Sequence, residues 1–556
     1  MFNKNFLDAV ELLGFNSRLC EIISHLKGEF VQSDDPLSSL FQFTRILGSK
    51  NLSKTESLGL LLLGVSGSYF CGAKWDYWSE RLEISARGDL IALISENASE
   101  LLSLAKNRGG CRLVSLPAEA LLCDVTNTVS RKTVSGVQRV VRNLVQSWVA
   151  AGVPVFSFVI EDRAGQPKLL NANWFVSEDG NRRQLSFKAK IRRLLVLLVG
   201  RDGLLYRVFR LLYNLVRLFL VELNLGSRDR YRVPEWFYSV RAKVLSVFDR
   251  FDSIVNKETH SGPIPILFRA RMFSAEIIDS RRVEVYFGLK YTMEISLSLV
   301  CHDLIPIYFP EFCGPNDFPA YLRLMRIVDR VACVSHSVER EFRVFGKNIS
   351  RKYPIRFAAM RLPWGFSINP AIYRAGQISD RPLILSVGTV ETRKNYVNFI
   401  RAARVLKSRG VAARFKIIGN PGWQYELIYA EYEKARAEGV DITISSGLTD
   451  AELCMAYIEA HFVAFLSNAE GFGLPVAEAL FFGKPCVISS VPCLSEFLDG
   501  GGCVQVDHTD VLAIADLFED LITDSRKLEK LHSEIKKSEV DSWGGYSRSL
   551  YEFICS

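Results

Sequence analysis

The chain has 556 residues, of which 48% are hydrophobic and 23% are charged. This balance is typical of a folded protein and excludes a disordered or collagen-like chain, and the length indicates about three packed units. The 12 cysteines are dispersed without a C-x-x-C pair, which argues against a disulfide framework or a thiolate zinc site and indicates a reducing compartment. We therefore expect a cytoplasmic protein.

The net charge of +8 is concentrated in one segment. Between positions 181 and 221 there are ten Lys and Arg residues and one Asp, and the rest of the chain is close to neutral. Basicity confined to one stretch is not the pattern of a nucleic-acid-binding protein. We expect no nucleic acid partner.

Residues 1–116 are predicted to form a helical accessory region. Apolar residues recur there at spacings of three and four, and the opening sequence lacks the order of basic, apolar and small residues that marks a signal peptide. The uncharged stretch Leu58–Cys71 has 14 residues, fewer than the roughly 20 that span a bilayer. It predicts a buried helix.

From position 121 onwards, short β-branched runs alternate with stretches of helix length. The first series has runs at 121–125 and 153–160 on either side of a helix-length stretch. The second series has runs at 383–388, 413–419, 441–445, 462–466 and 485–489. This alternation predicts an α/β fold with two doubly wound, Rossmann-like halves facing a cleft, and ligands of such folds bind beyond the carboxyl ends of the strands.

A basic and apolar insertion is predicted at about 181–260. Arg207, Arg210 and Arg217 fall on one face of a helix whose other faces carry Leu, Phe, Val and Tyr. Arginine beside bulky apolar residues is typical of a helix lying in the headgroup plane of an anionic membrane, so we expect these residues to dock the protein there. The alternative is a helix pair packed into the protein or forming an oligomer interface.

Residues 462–489 carry the most informative pattern. A predicted strand runs into a loop that ends at Gly473, and Pro475 favours the start of a helix there. Glu470 lies in the loop, and Glu478 is expected on the first turn of the helix. Such a helix start can bind a phosphate, here through the backbone N–H groups of Phe472, Gly473 and Leu474. The carboxylates of Glu470 and Glu478 would repel a bound phosphate unless they were engaged by hydroxyl groups. We therefore expect the hydroxyls of a sugar and of a ribose to bind beside them.

The sequence E-G-F-G-L-P-V-A-E-A at 470–479 resembles the E-x7-E signature of a known enzyme family. That family is glycosyltransferase family 4, whose members are retaining, use nucleotide sugars and have the GT-B fold. The resemblance implies that Glu478 holds the donor ribose. It also implies that Glu470 and the adjoining backbone amides hold the transferred sugar.

A second match, L-S-V-G-T-V-E-T-R-K-N, occupies 385–395. Gly388 is expected to end a strand, and Arg393 and Lys394 to open the next helix, where cations are unfavourable unless an anion is present. In the family, basic residues here hold the donor diphosphate. Many members also have Arg directly after the strand glycine, where this chain has Thr389, which leaves Arg393 and Lys394 as the expected phosphate pair.

The preceding half resembles the family at two further places. In S-G-V-Q-R at 135–139, Gly136 allows close approach of the backbone to the donor phosphates. In C-H-D-L-I-P at 301–306, His302 is expected at a strand end, hydrogen-bonding the sugar in the transition state. Glu470 is assigned as the sugar anchor, although a carboxylate in that place is also a potential nucleophile.

Motifs of other enzyme classes are absent from the sequence. It has no D-x-D pair, no G-x-x-x-x-G-K-[ST] loop and no G-x-G-x-x-G fingerprint. We therefore expect Arg393, Lys394 and helix amides to stabilise the leaving diphosphate. No cofactor and no metal ion is expected.

We divide the chain into the accessory region, an N-terminal half at 117–375 that binds the acceptor, a C-terminal half at 376–538 that binds the donor, and a crossover tail helix at 539–556. The expected activity is transfer of a sugar to a lipid-linked, lipopolysaccharide or polysaccharide acceptor at the cytoplasmic membrane face. The first candidate for the sugar is mannose, with GDP-mannose as its donor. The pattern resembles bacterial polysaccharide mannosyltransferases. Two alternatives are a non-catalytic scaffold that binds glycans, and a soluble glycosyltransferase with another donor.

Overall fold

The computed structural model describes residues 15–28, 36–49, 52–66, 73–85, 112–130, 136–161, 166–170, 263–313, 318–347, 354–363, 381–536 and 542–556, with single positions between them. By its internal contacts the chain divides into one unit formed by Met1–Leu169 with Ile264–Ser556, and another formed by Leu170–Pro263. All that follows concerns the first unit. The predicted membrane-docking residues Arg207, Arg210 and Arg217 lie outside the described residues.

The accessory region contributes four described helices, α1 (Phe15–Lys27), α2 (Pro36–Ser49), α3 (Lys54–Ser66) and α4 (Ala73–Ile84). Helix α3 is buried from Glu56 to Ser66, which confirms the predicted buried helix for Leu58–Ser66. In the rest of the predicted stretch, positions 67, 68, 70 and 71 lie outside the described residues. In the part of the chain that the structure describes, no helix is both long and apolar enough to cross a bilayer.

The N-terminal half is built on a sheet of seven strands among the described residues, in the order β4-β3-β2-β6-β7-β8-β9. Its strands, with the β1–β5 pair beside them, are β1 (Leu113–Val114), β2 (Leu121–Asp124), β3 (Val155–Glu161), β4 (Gln166–Leu169), β5 (Ile264–Pro265), β6 (Arg271–Ser274), β7 (Ser296–Cys301), β8 (Arg330–Cys333) and β9 (Arg356–Ala359). Strand β4 is antiparallel to β3, and the other pairs are parallel.

The helices of this half are α5 (Thr126–Ser130), α6 (Gly136–Ala150), α7 (Ser280–Met293), α8 (Ile305–Tyr308), α9 (Phe318–Leu324) and α10 (His336–Lys347). Helix α6 follows β2 and carries an apolar face that buries Val140, Leu144 and Trp148. Parallel strands joined by such crossover helices place the strand ends of the half at one edge of its sheet.

The C-terminal half has six parallel strands among its described residues, in the order β12-β11-β10-β13-β14-β15. They are β10 (Leu383–Val387), β11 (Arg414–Ile418), β12 (Ile442–Ser445), β13 (Phe462–Phe465), β14 (Cys486–Ser489) and β15 (Cys503–Val506). The helices are α11 (Tyr396–Ser408), α12 (Tyr425–Ala437), α13 (Asp450–Glu459), α14 (Leu474–Phe481), α15 (Pro492–Ser495), α16 (Val511–Thr523) and α17 (Ser525–Glu534). The predicted fold class, α/β with two Rossmann-like parallel sheets, is confirmed.

Aromatic packing holds the sheet of the C-terminal half to its helices. The rings of Phe399 on α11 and Phe462 on β13 both pack on Phe518 of α16, with centroids 6.0 and 5.5 Å away. All three side chains are almost fully buried. This core fixes the strands whose carboxyl ends carry the site.

The last helix, α18 (Trp543–Cys555), packs against α6 of the N-terminal half. The buried Trp148 indole Nε1 donates a hydrogen bond of 2.7 Å to the Ser547 carbonyl. A tail that leaves one half and packs on the other ties the two halves together.

Candidate active site

The loop after β13 and the start of α14 form the centre of the site. Gly473 caps the helix at φ +104°, a left-handed conformation that glycine adopts without strain. A Cβ atom there would lie 2.5 Å from Leu494 Cδ2, so a side chain would strain the backbone and would also displace Leu494. The helix begins at Leu474, and its first N–H groups have no partner within the helix.

Glu470, in the loop before Gly473, makes ion pairs with both expected phosphate-binding cations. Its Oε1 atom lies 2.8 Å from Arg393 Nη1 and accepts a hydrogen bond from Lys394 Nζ. Burial alone raises the pKa of Glu470, but Arg393 and Lys394 outweigh it and hold the pKa at about 2. Glu470 is therefore a carboxylate at any physiological pH.

This pKa predicts a pH-dependent contribution of Glu470 to stability. A carboxyl group whose pKa falls from 4.5 to about 2 on folding stabilises the folded state by about 3 kcal/mol above pH 4.5, and the contribution is lost as the pH falls towards 2. We expect the difference in unfolding free energy between wild type and Glu470→Gln to be about 2 kcal/mol smaller at pH 3 than at pH 7. Denaturant titrations at both pH values measure it, and a difference independent of pH would contradict the assigned ion pairs.

Arg393 and Lys394 do not open a helix, contrary to the sequence-based expectation. They lie in the 3₁₀ turn Thr392–Lys394, and α11 begins after Asn395, which adopts a left-handed conformation at φ 55°. Both side chains nevertheless reach the loop after β13, where they contact Glu470.

The guanidinium of Arg393 is held by protein groups on three sides. It donates to Glu391 Oε1 at 2.7 Å and to the Ala469 carbonyl at 2.8 Å, and it pairs with Glu470. The charge of the predicted phosphate pair, Arg393 and Lys394, is thus balanced by two carboxylates, Glu391 and Glu470. The role of Glu391 was not predicted from the sequence.

Gly388 directly follows β10, as predicted, and its carbonyl accepts a hydrogen bond of 2.8 Å from the buried Tyr396 hydroxyl.

Glu478 is the fifth residue of α14 and lies on its second turn, so the predicted first-turn position is wrong. Its buried carboxylate accepts a hydrogen bond of 2.7 Å from the Tyr457 hydroxyl through Oε2. Its other oxygen, Oε1, forms an ion pair with Arg139, which lies on α6 of the N-terminal half. Burial raises the pKa of Glu478, and Arg139 and Tyr457 offset part of that rise.

His302 directly follows β7 and faces the loop of Glu470. Its Nε2 atom lies 2.7 Å from the Ala275 carbonyl, and because a carbonyl only accepts, Nε2 carries the proton. Burial lowers the pKa of His302, so the ring is neutral at pH 7. Its Nδ1 atom is then an acceptor, and a sugar hydroxyl that reaches it would have to donate.

Gly471 brings the two halves into direct contact. A Cβ atom at this position would overlap the His302 carbonyl oxygen. The Gly471 carbonyl accepts a hydrogen bond of 2.7 Å from the Ser335 hydroxyl, which follows β8. Nearby, the Glu496 carboxylate accepts from the Ser337 N–H at 2.7 Å. The carboxyl ends of β7, β8 and β13 therefore meet at one place.

A buried charged cluster lies behind His302, at the carboxyl ends of β2 and β6. Arg282 donates to Asp124 at 3.1 Å and to Glu276 at 2.9 Å, and the Tyr286 hydroxyl donates to Asp124. Glu276 follows Ala275, whose carbonyl orients His302. The cluster thereby fixes the backbone that sets the imidazole orientation. It joins residues more than 100 positions apart, and no local sequence pattern indicates it.

Gly136 begins α6, and its Cα lies against the start of α14. A Cβ atom on Gly136 would come 3.1 Å from Leu474 Cδ1. The amino ends of a helix from each half therefore face each other. Phe472 is buried beside them, with its ring centroid 5.3 Å from that of Phe497.

No group of three or more His, Cys, Asp or Glu side chains is placed to hold a metal ion within the described ranges. The cations Arg139, Arg393 and Lys394 pair there with Glu478, Glu391 and Glu470. Independence of a metal ion stays a prediction.

The C-terminal half also matches a known protein family. Residues 371–538 match the family model described as glycosyl transferases group 1. The C-terminal half is similar to group 1 glycosyl transferases. That range includes the four charged residues predicted for the donor site, Arg393, Lys394, Glu470 and Glu478.

Two relatives of known activity are mannosyltransferases of Escherichia coli. The serotype-specific mannosyltransferase WbdA is 24% identical over 214 residues, which are 35% of this chain and 26% of that protein. The O-antigen chain mannosyltransferase B is 33% identical over 152 residues, which are 27% of this chain and 39% of that protein. The chain thus spans about a quarter of the first relative and two fifths of the second.

Solved structures with a similar fold include two that align over 79% of this chain. Sucrose-phosphate synthase from Thermosynechococcus elongatus has a TM-score of 0.48 at 14% identity, with 96% of that chain covered. HepE from Anabaena, solved in complex with UDP and glucose, has a TM-score of 0.48 at 11% identity, with 99% covered.

Proposed function

We propose that the protein is a retaining glycosyltransferase of family 4 that transfers a sugar from a nucleoside diphosphate sugar to a glycan or glycolipid acceptor. The observation that carries this proposal is the convergence of Glu470 with Arg393 and Lys394 opposite His302. A carboxylate for sugar hydroxyls, two cations for a diphosphate and a neutral imidazole are within one site. The match of residues 371–538 to the group 1 model supports the same conclusion.

The proposed chemistry assigns one task to each group. Arg393 and Lys394 bind the diphosphate and stabilise the charge that develops as it leaves. Glu470 accepts hydrogen bonds from the hydroxyls of the transferred sugar, and Nδ1 of His302 accepts one more. The acceptor hydroxyl attacks from the face that the phosphate leaves, and the departing phosphate oxygen takes its proton, so no enzyme nucleophile is needed.

Mannose is the proposed sugar and GDP-mannose the proposed donor. The two relatives named as mannosyltransferases support mannose. The name of the second refers to an O-antigen chain, which favours a lipid-linked or lipopolysaccharide polysaccharide as the acceptor. Because such acceptors are membrane-bound, we propose action at the cytoplasmic membrane face, which flotation of the full chain with anionic liposomes tests.

Binding and turnover of donors by the purified full chain test the proposed function. A panel of GDP-mannose, UDP-glucose and UDP-N-acetylglucosamine is compared in thermal unfolding, where a ligand at 100 times its Kd stabilises the protein by about 2.7 kcal/mol. Donor hydrolysis and transfer are then measured with the donor that binds. Binding without any turnover would favour the non-catalytic scaffold, and no stabilisation by any nucleotide sugar would contradict the proposal.

Turnover is expected to persist in excess EDTA. The diphosphate is to be stabilised by Arg393, Lys394 and helix amides, so no step of the proposed reaction needs a divalent ion. The rate of donor consumption is measured with and without EDTA after passage over a chelating resin. Loss of turnover in EDTA that Mg²⁺ or Mn²⁺ restores would show the prediction to be wrong.

A further inference from the structure

The cations described at the cleft are all paired with carboxylates of the protein. Arg393 pairs with Glu391 and Glu470, and Lys394 pairs with Glu470. Arg139 pairs with Glu478, and its second guanidinium nitrogen lies 4.0 Å from Asp450. In these described contacts three cations, Arg139, Arg393 and Lys394, face four carboxylates, so their positive charge is fully compensated.

This balance has a consequence for a donor that carries a diphosphate. Two phosphate charges would enter a site whose cations are already compensated, and buried charge without a partner is costly. The hydroxyls of the donor resolve the conflict, because a hydroxyl that binds a carboxylate releases the cation paired with it. The transferred sugar would release Lys394 and Arg393 from Glu470 in this way, and the ribose would release Arg139 from Glu478.

The contacts of Glu478 are arranged for such an exchange. Tyr457 donates to Oε2, whereas Arg139 holds Oε1. Loss of Arg139 therefore leaves the buried carboxylate with one hydrogen bond and opens the other oxygen to a hydroxyl. Burial raises the pKa of Glu478, so the exchange partner must be a hydrogen-bond donor if the group is to stay ionised.

Arg139 is also placed to meet the diphosphate. It lies on the first turn of α6, whose start at Gly136 packs against the start of α14 at Leu474. Both helix ends carry partial positive charge, and a guanidinium beside them is favourable only with an anion present. Glu478 is that anion in this structure, at a side-chain exposure of 4%.

We propose that Arg139 is a third diphosphate-binding cation, supplied by the N-terminal half, which passes from Glu478 to a donor phosphate when the ribose takes up Glu478. The inference rests on the proposed function and adds a residue to its donor site. On this proposal, the cations of the site exchange protein carboxylates for donor phosphates, so that binding of the donor adds no unpaired charge. The proposal also makes the N-terminal half a direct part of the diphosphate site.

Calorimetric affinities of the full chain for GDP and UDP, and for guanosine and uridine as counterparts without phosphates, test the proposal. Arg139→Met is expected to weaken binding of the preferred nucleoside diphosphate at least tenfold and to leave the matching nucleoside unchanged or tighter. Arg139→Lys is expected to restore part of the loss. Arg142→Met, three residues further along α6, is the matched control and is expected to bind both as wild type does.

Two results would overturn the assignment of Arg139. Equal or tighter binding of the nucleoside diphosphate by Arg139→Met would show that Arg139 only masks Glu478. A parallel loss of nucleoside affinity would show a structural role. If Arg139→Met fails to fold, as judged by circular dichroism, Arg139→Gln replaces it. Failure of the wild type to bind any nucleoside diphosphate would instead contradict the proposed function itself.

Discussion

Replacing Glu470 by glutamine is expected to lower kcat by about 30- to 1000-fold, which corresponds to about 2–4 kcal/mol in the barrier. Glutamine keeps the shape of the side chain but removes the charge that accepts hydrogen bonds from the sugar hydroxyls. It also leaves Lys394 and Arg393 without the carboxylate that both contact. The affinity for the nucleoside diphosphate is therefore expected to be retained or increased while turnover is lost.

Separate measurements of kcat and of nucleoside diphosphate affinity test this expectation. Glu438→Gln is a suitable control, because Glu438 forms an exposed ion pair with Arg404 in the same half, and we expect it to leave kcat unchanged. A folded Glu470→Gln protein with near-wild-type kcat would refute the assigned role. Equal losses of kcat and diphosphate affinity would indicate that Glu470 organises the phosphate site instead.

Five of the six strands of the second half, β10 to β14, could be predicted from sequence because each is a short, mainly apolar run between helices, whereas β15 (Cys503–Val506), which is only partly buried, was not predicted. The run at 462–466 gave β13 (Phe462–Phe465) to within one residue, and the run at 485–489 gave β14 (Cys486–Ser489). Burial on both faces makes the apolar pattern of these two strands continuous. The parallel topology followed from the alternation with helices.

The first half was harder to predict because its central strand β6 (Arg271–Ser274) has four residues and follows the basic insertion. Its neighbours in the sheet are β2 and β7, and β2 lies about 150 positions earlier. The cluster of Arg282 with Asp124 and Glu276 depends on that pairing. Spacing along the chain carries no information about contacts of this kind.

The partners of the site residues were also invisible to motif reasoning. Arg139 stands within the S-G-V-Q-R motif, but only the meeting of α6 with α14 shows that it reaches Glu478. Glu391 had a local signal, since it stands two residues before Arg393 in V-E-T-R-K. An acidic residue close in sequence to a predicted pair of phosphate-binding cations therefore indicates a carboxylate that can compete with the phosphate for those cations.

Replacing Gly471 by alanine is expected to lower kcat by about 100-fold or more, because it separates the groups that act on the sugar. The added Cβ would overlap the carbonyl oxygen of His302, and a backbone atom cannot rotate away as a side chain can. Gly471 does not have a positive φ, so alanine suits its own backbone and the cost arises across the two halves. A displacement of about 1 Å between reacting groups is enough for a 100-fold loss.

The readouts that separate this effect from misfolding are circular dichroism, thermal unfolding and the affinity for nucleoside diphosphate. Arg393 and Lys394 belong to the same half as Gly471 and only Arg139 comes from the other half, so the affinity is expected to fall by no more than it does in Arg139→Met, and by less than kcat. Gly346→Ala in α10 is the matched control, since its Cβ would meet only Phe342 at 3.8 Å, and it is expected to keep full activity. Wild-type kcat in folded Gly471→Ala would mean that catalysis does not need the contact between Gly471 and His302, and that the halves act in another arrangement.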